Sequence, residues 1–104
     1  MSLYPVEVFT GSIKVLLVAD NMKFFVLDSA ERIFVAILEN ATEAFPIGAE
    51  MGFVREGVGI VTFAVAGAVS LRSRAGLVRL NAQYSAATLK KIGLNDWRLI
   101  GDLT

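Results

Sequence analysis

The sequence predicts an all-β fold, a small antiparallel β-sandwich or a barrel or prism of short strands that ends in a β-hairpin. Three observations lead there. Runs rich in Val, Ile and Phe recur along the 104 residues, separated by turn residues roughly every 8–12 positions, the rhythm of small sandwiches and barrels. The candidate helical window, residues 85–92, is short for a marginal helix. And 55% of the residues are apolar, with a mean hydropathy of +0.60. One domain of this size has a high surface-to-volume ratio, so part of that apolar surface must meet neighbours rather than a core of its own.

The elements follow in order. Residues 6–9, 13–19, 23–27 and 32–38 carry the β-branched and aromatic residues that strands favour. Asp20-Asn21 reads as a tight hairpin turn between the second and third runs, and 28–31 as the turn after the third. Runs 13–19 and 33–38 do not alternate cleanly between apolar and polar, as expected of strands covered on both faces. Residues 40–43 are polar and loop-like. Phe45-Pro46-Ile47-Gly48 places Pro second and Gly fourth, which suits a type I turn. Strands are then expected at 50–55, 58–65, 68–72 and 77–81, with turns at Glu56-Gly57, Ala66-Gly67 and 73–76.

Residues 85–92 could start a helix, with Ser85 as its cap. The window is short for one, and Gly93-Leu94-Asn95-Asp96 is a good hairpin loop. Beyond it Trp97, Leu99, Gly101 and Leu103 share one face of an extended strand, with Arg98 and Asp102 on the other. That strand needs a partner, and residues 84–92 are the nearest in sequence. A terminal β-hairpin is the reading adopted. The whole is expected to be one domain, 1–104, with residues 1–12 forming an N-terminal arm or edge strand.

The chemistry of the side chains argues against an enzyme. There is no cysteine and no histidine, which removes disulfides, thiol nucleophiles, the usual zinc sites and the commonest general base. Ser70, Ser73 and Ser85 have no histidine to activate them. Asp96 and Asp102 flank Arg98 and read as surface ion-pairing groups. Gly57, Gly59, Gly67 and Gly76 lack the setting of a phosphate loop. No catalytic, cofactor or metal site is expected. The longest charge-free run, from Gly57 to Leu71, has 15 residues and two internal glycines, short of the roughly 18 needed to span a bilayer. Neither membrane insertion nor a secretory signal is expected. Ten basic and ten acidic residues cancel, so the broad basic balance of a nucleic-acid binder is absent. Arg72, Arg74 and Arg79 do gather around one expected turn, and a small barrel stacking bases on Tyr84 and Trp97 is an alternative.

Residues 45–104 resemble a small β-rich module of tailed-bacteriophage virion proteins, one that often closes tail-fibre polypeptides. The resemblance is carried by Ala44-Phe45-Pro46-Ile47-Gly48, by Gly59-Ile60-Val61-Thr62-Phe63 and Val69-Ser70-Leu71-Arg72-Ser73-Arg74, and by Gln83-Tyr84-Ser85 through Ile92-Gly93. Trp97-Arg98-Leu99-Ile100-Gly101-Asp102-Leu103 completes it. Residues 18–38 agree more loosely. The resemblance implies a non-enzymatic structural role in a virion, an all-β fold and assembly as a homotrimer. It nominates Phe45, Pro46, Gly48, Phe63, Arg72, Arg74, Gln83, Tyr84, Leu89, Trp97, Gly101 and Asp102 as fold-motif or subunit-contact positions. The module is expected to make up nearly the whole protein, without the long N-terminal anchoring portion of a tail fibre. The expectation is therefore a capsid decoration (cement) protein that contacts the major capsid protein or other virion proteins. A tail-fibre or spike component comes next, whose tip could bind glycans through Trp97 or Tyr84.

Overall fold

The computed structural model describes residues 5–104; the first four residues of the expected arm lie outside the described residues. Among the described residues nine strands form two sheets: β1 (Val6–Phe9), β2 (Ile13–Val15), β3 (Phe24–Leu27), β4 (Ile33–Ile37), β5 (Glu50–Arg55), β6 (Val61–Val65), β7 (Ser70–Ser73), β8 (Ala86–Gly93) and β9 (Asp96–Gly101). Short 3-10 turns occupy Val18–Asp20 and Arg74–Gly76. The larger sheet runs β1-β3-β5-β8-β9-β7 and the smaller β2-β4-β6. The all-β class and the terminal hairpin are as expected. Residues 77–81 make only isolated bridges, Thr62 to Arg79 and Leu80 to Leu103.

The direction of pairing differs from the antiparallel reading. β1–β3, β3–β5, β2–β4, β4–β6 and β7–β9 are parallel; β5–β8 and β8–β9 are antiparallel. The reason lies in the connections. Parallel neighbours need a crossover, and for the first four of these pairs the crossover is a strand of the opposite sheet, whereas β7 and β9 are joined through β8 of their own sheet. The chain alternates β1, β2, β3, β4, β5, β6 between sheets, like three coils of a flattened solenoid in which each coil stacks on the last. Asp20-Asn21 is thus no hairpin turn, because it carries the chain from one sheet to the other.

The core lies between the sheets. From the larger sheet come Phe25, Leu27, Met51, Phe53, Ala87, Leu89, Trp97 and Leu99, and from the smaller Ile33, Val35, Ile37, Val61 and Phe63, all buried. In-register parallel stacking sets Phe25 on Phe53, ring centroids 5.6 Å apart. Phe53 in turn meets Phe63 of the opposite sheet edge-on at 5.1 Å. Phe45 packs edge-on against Trp97 at 5.3 Å, which ties the loop before β5 to the hairpin. Such aromatic pairs contribute about 0.5–1.5 kcal/mol each beyond their buried area.

The Phe45–Gly48 turn is displaced by one residue from the expected one. The Ala49 N–H donates to Pro46 O at 3.0 Å, so the turn spans 46–49 with Gly48 third, at φ +96°. A positive φ at that position is the type II form, open to glycine at little cost. In the hairpin, Gly93 pairs with Asp96 and leaves Leu94-Asn95 as the tight loop, with a bulge between Lys91 and Gly93.

Candidate functional site

Strand alternation fixes which side chains leave the core. On the larger sheet, residues paired across neighbouring strands form straight outward rows. One row holds Val6, Phe24, Gly52, Thr88 and Ile100, and the next Val8, Val26, Val54 and Ala86. Val6, Val8 and Ile100 are 67%, 61% and 64% exposed. The Phe24 ring lies over Gly52, where an added Cβ would sit 2.5 Å from Phe24 Cδ1. The outward face of the smaller sheet is similar: Ile13, Val15, Phe34, Ala36, Thr62 and Ala64, with the Arg32 guanidinium 5.8 Å from the Phe34 ring centre. The smaller sheet is therefore apolar on both sides, and the larger sheet is so along these two rows, beside an outward charged row of Glu50, Lys90, Arg98 and Arg72. Poor alternation in 13–19 and 33–38 signals such strands, although among the described residues their outer faces are uncovered.

The edges are built differently. β1 and β2 end their sheets on the same side, and each turns a charge inward, Glu7 and Lys14. These meet Asp20 and Lys23: Lys14 Nζ lies 3.6 Å from Glu7 and 3.2 Å from Asp20, and Lys23 Nζ lies 3.1 Å from Glu7 and 3.2 Å from Asp20. The Leu17 N–H also donates to Asp20 Oδ2 at 3.0 Å. Burial pushes the Asp20 carboxyl up, but the Leu17 bond and the two ammonium groups outweigh it and hold the carboxyl below its usual range. Glu7, then Asp20, raises the Lys23 ammonium above its usual value. Inward charges on edge strands disfavour the addition of further strands, so the cluster closes the end of the core and guards both edges.

At the other end of the core a lysine is buried. Lys91 follows Ala87 and Leu89 on the inward face of β8 and is 1% exposed. Its ammonium donates to Asn40 Oδ1 and to Phe45 O, each at 2.7 Å, and lies 5.9 Å from the Trp97 ring centre. Burial pushes it below the usual lysine value. Asn95 Oδ1 accepts from the Asn40 N–H at 2.8 Å, so Lys91 pins the 40–45 loop to the hairpin. A side chain so enclosed serves the fold.

An open pocket of about 260 Å³ sits where β7 meets β9, lined by Arg72, Ser73, Arg74, Arg98, Leu99 and Ile100. Arg72 stands directly opposite Arg98 on the outward face, and the extended Ser73 (φ −145°, ψ 168°) sets Arg74 on the same side as Arg72. Arg98 pairs with Asp96 at 2.6 Å. Arg72 and Arg74 form no ion pair among the described residues.

The nominated positions thus divide. Phe45, Phe63, Leu89 and Trp97 are core. Pro46, Gly48, Gln83 and Tyr84 lie in exposed turns, Tyr84 at φ +72°. Gly101 ends β9. Asp102 accepts from Ser85 Oγ at 2.6 Å and from Asn81 Nδ2 at 3.3 Å, while Arg98 donates to Asp96 and to Trp97 O. Arg72 and Arg74 come together, with Arg98 in place of Arg79, which sits opposite Thr62 at the smaller sheet. Burial removes Trp97 as a stacking platform for a base or a sugar. Among the described residues no group of three or more His, Cys, Asp or Glu could hold a metal ion, and no helix is long and apolar enough to cross a membrane. Comparison with protein-family models, curated proteins and solved structures finds no match to this chain.

Proposed function

We propose that this chain is a non-enzymatic structural protein that works as part of an assembly, covering its outer sheet faces with other subunits. One observation carries the reading. Both sheets present broad apolar rows on their outer faces to solvent, whereas the edges at β1 and β2 carry inward charges that discourage strand addition. Large exposed apolar faces on a small neutral protein mark association surfaces.

The resemblance of residues 45–104 to a phage virion module favours a place on a virion, as a homotrimeric capsid decoration protein bound to the major capsid protein. A fibre or spike component is the second reading. Light scattering on the purified protein tests the assembly, with a trimer of the 11.2 kDa chain as the expected result. A cryo-EM map of the intact particle tests its place, with density on the shell expected and density at the tail favouring the second reading.

A further inference from the structure

We infer that the arginine pocket between β7 and β9 is the seat of a carboxylate from an acidic protein partner. Arg72 and Arg98 face each other across a parallel pair, and like charges directly opposite one another are destabilising. Arg74 adds a third guanidinium to the same opening. Asp96 answers only one of the three. An oxyanion between Arg72, Arg74 and Arg98 removes that repulsion, and guanidinium forks bind carboxylates with paired, charge-assisted hydrogen bonds.

The surroundings favour a protein over a nucleic acid. The basic row Arg72-Arg98-Lys90 stops at Glu50, which lies 3.6 Å from Lys90, so there is no track for a run of phosphates. The pocket has room for one small group, and its wall is Ile100, part of the apolar outer face. A carboxylate beside apolar contacts is the pattern of an acidic side chain on an otherwise apolar segment. The partner rests on the assembly reading above; the anion pocket does not.

The experiment is a titration of the isotope-labelled whole chain with sodium glutarate, a free mimic of the glutamate side chain, at constant ionic strength and followed by amide NMR. Saturable shifts centred on Arg72, Arg98 and Ile100 are expected, with millimolar affinity. An Arg72→Gln/Arg74→Gln double variant with unchanged far-UV dichroism should weaken binding at least tenfold. Shifts that never saturate, or that survive the double variant, overturn the site. Inorganic phosphate or oligothymidylate binding the same residues at least tenfold more tightly than glutarate overturns the carboxylate assignment. Because glutarate reaches the pocket of a monomer, failure of the assembly reading alone leaves the glutarate result intact.

Discussion

Replacing Lys91 by Met tests the account of the buried end of the core. The substitution keeps the side chain's length and apolar stem and removes the ammonium. Two acceptors then lose their donor, Asn40 Oδ1 and Phe45 O, both bonded at 2.7 Å in the native chain. Each stranded buried acceptor costs about 1–3 kcal/mol. Against that, the variant no longer buries a charge, which relieves part of the loss. The net expectation at neutral pH is a destabilisation of about 1–3 kcal/mol.

The pH dependence carries a sign. Burial depresses the native Lys91 value below 10.5, so between that depressed value and 10.5 the unfolded chain binds more protons than the folded one, and native stability rises with pH across the window. Lys91→Met lacks that rise. Urea melts of both proteins at stepped pH read the difference, which should widen toward alkaline pH. A difference that stays constant or narrows refutes the assignment of a depressed, buried ammonium.

Asp20→Asn should destabilise by about 2 kcal/mol, since Lys14 and Lys23 lose a buried negative charge and one of the two oxygens they pair with becomes an amide NH2. Because the Asp20 carboxyl lies below its usual value, its stabilisation is present above the ordinary carboxylate range and is lost as pH falls through the native value. Denaturant melts at pH 7 and at acid pH should therefore differ between native and variant only at pH 7. Gly59→Ala should cost about 2–3 kcal/mol, because its Cβ would meet the carbonyl oxygen of Glu31. Gly76→Ala, in open space at φ +70°, should cost only about 1 kcal/mol. Equal thermal shifts for the two glycine variants would show that crowding at Gly59 is relieved by backbone movement.

Much of the fold is visible in the residue pattern. β-branched runs locate the strands, and the alternation of Trp97, Leu99 and Leu103 with Arg98 and Asp102 supports the hairpin against a helix. Sheet membership and direction are not visible in the same way. A strand such as 23–27 has the same composition whether it turns back on its neighbour or crosses to another sheet, and the choice is made by stacking contacts such as Phe25 on Phe53. The arginine pocket was half legible. Arg72 and Arg74 share a face by spacing alone, but Arg98 reaches them only through the parallel β7–β9 register. Lys91 does carry a local signal, its parity with Ala87 and Leu89 on β8. The Glu7–Lys14–Asp20–Lys23 cluster depends on two sheets meeting and has no local signature.

The central claim is that the apolar outer faces are association surfaces, and analytical ultracentrifugation of the native chain beside a Val8→Lys/Ile100→Lys variant tests it most directly. Covering residues already about two-thirds exposed is worth about 1–2 kcal/mol apiece, so the double change should weaken assembly through the larger sheet about thirtyfold to a thousandfold. It should leave the far-UV dichroism of the fold unchanged, with the thermal melt lowered only by the loss of association. A native oligomer at micromolar concentration that the variant dissociates is the predicted result. A native chain that stays a monomer throughout, or an oligomer indifferent to both lysines, contradicts it.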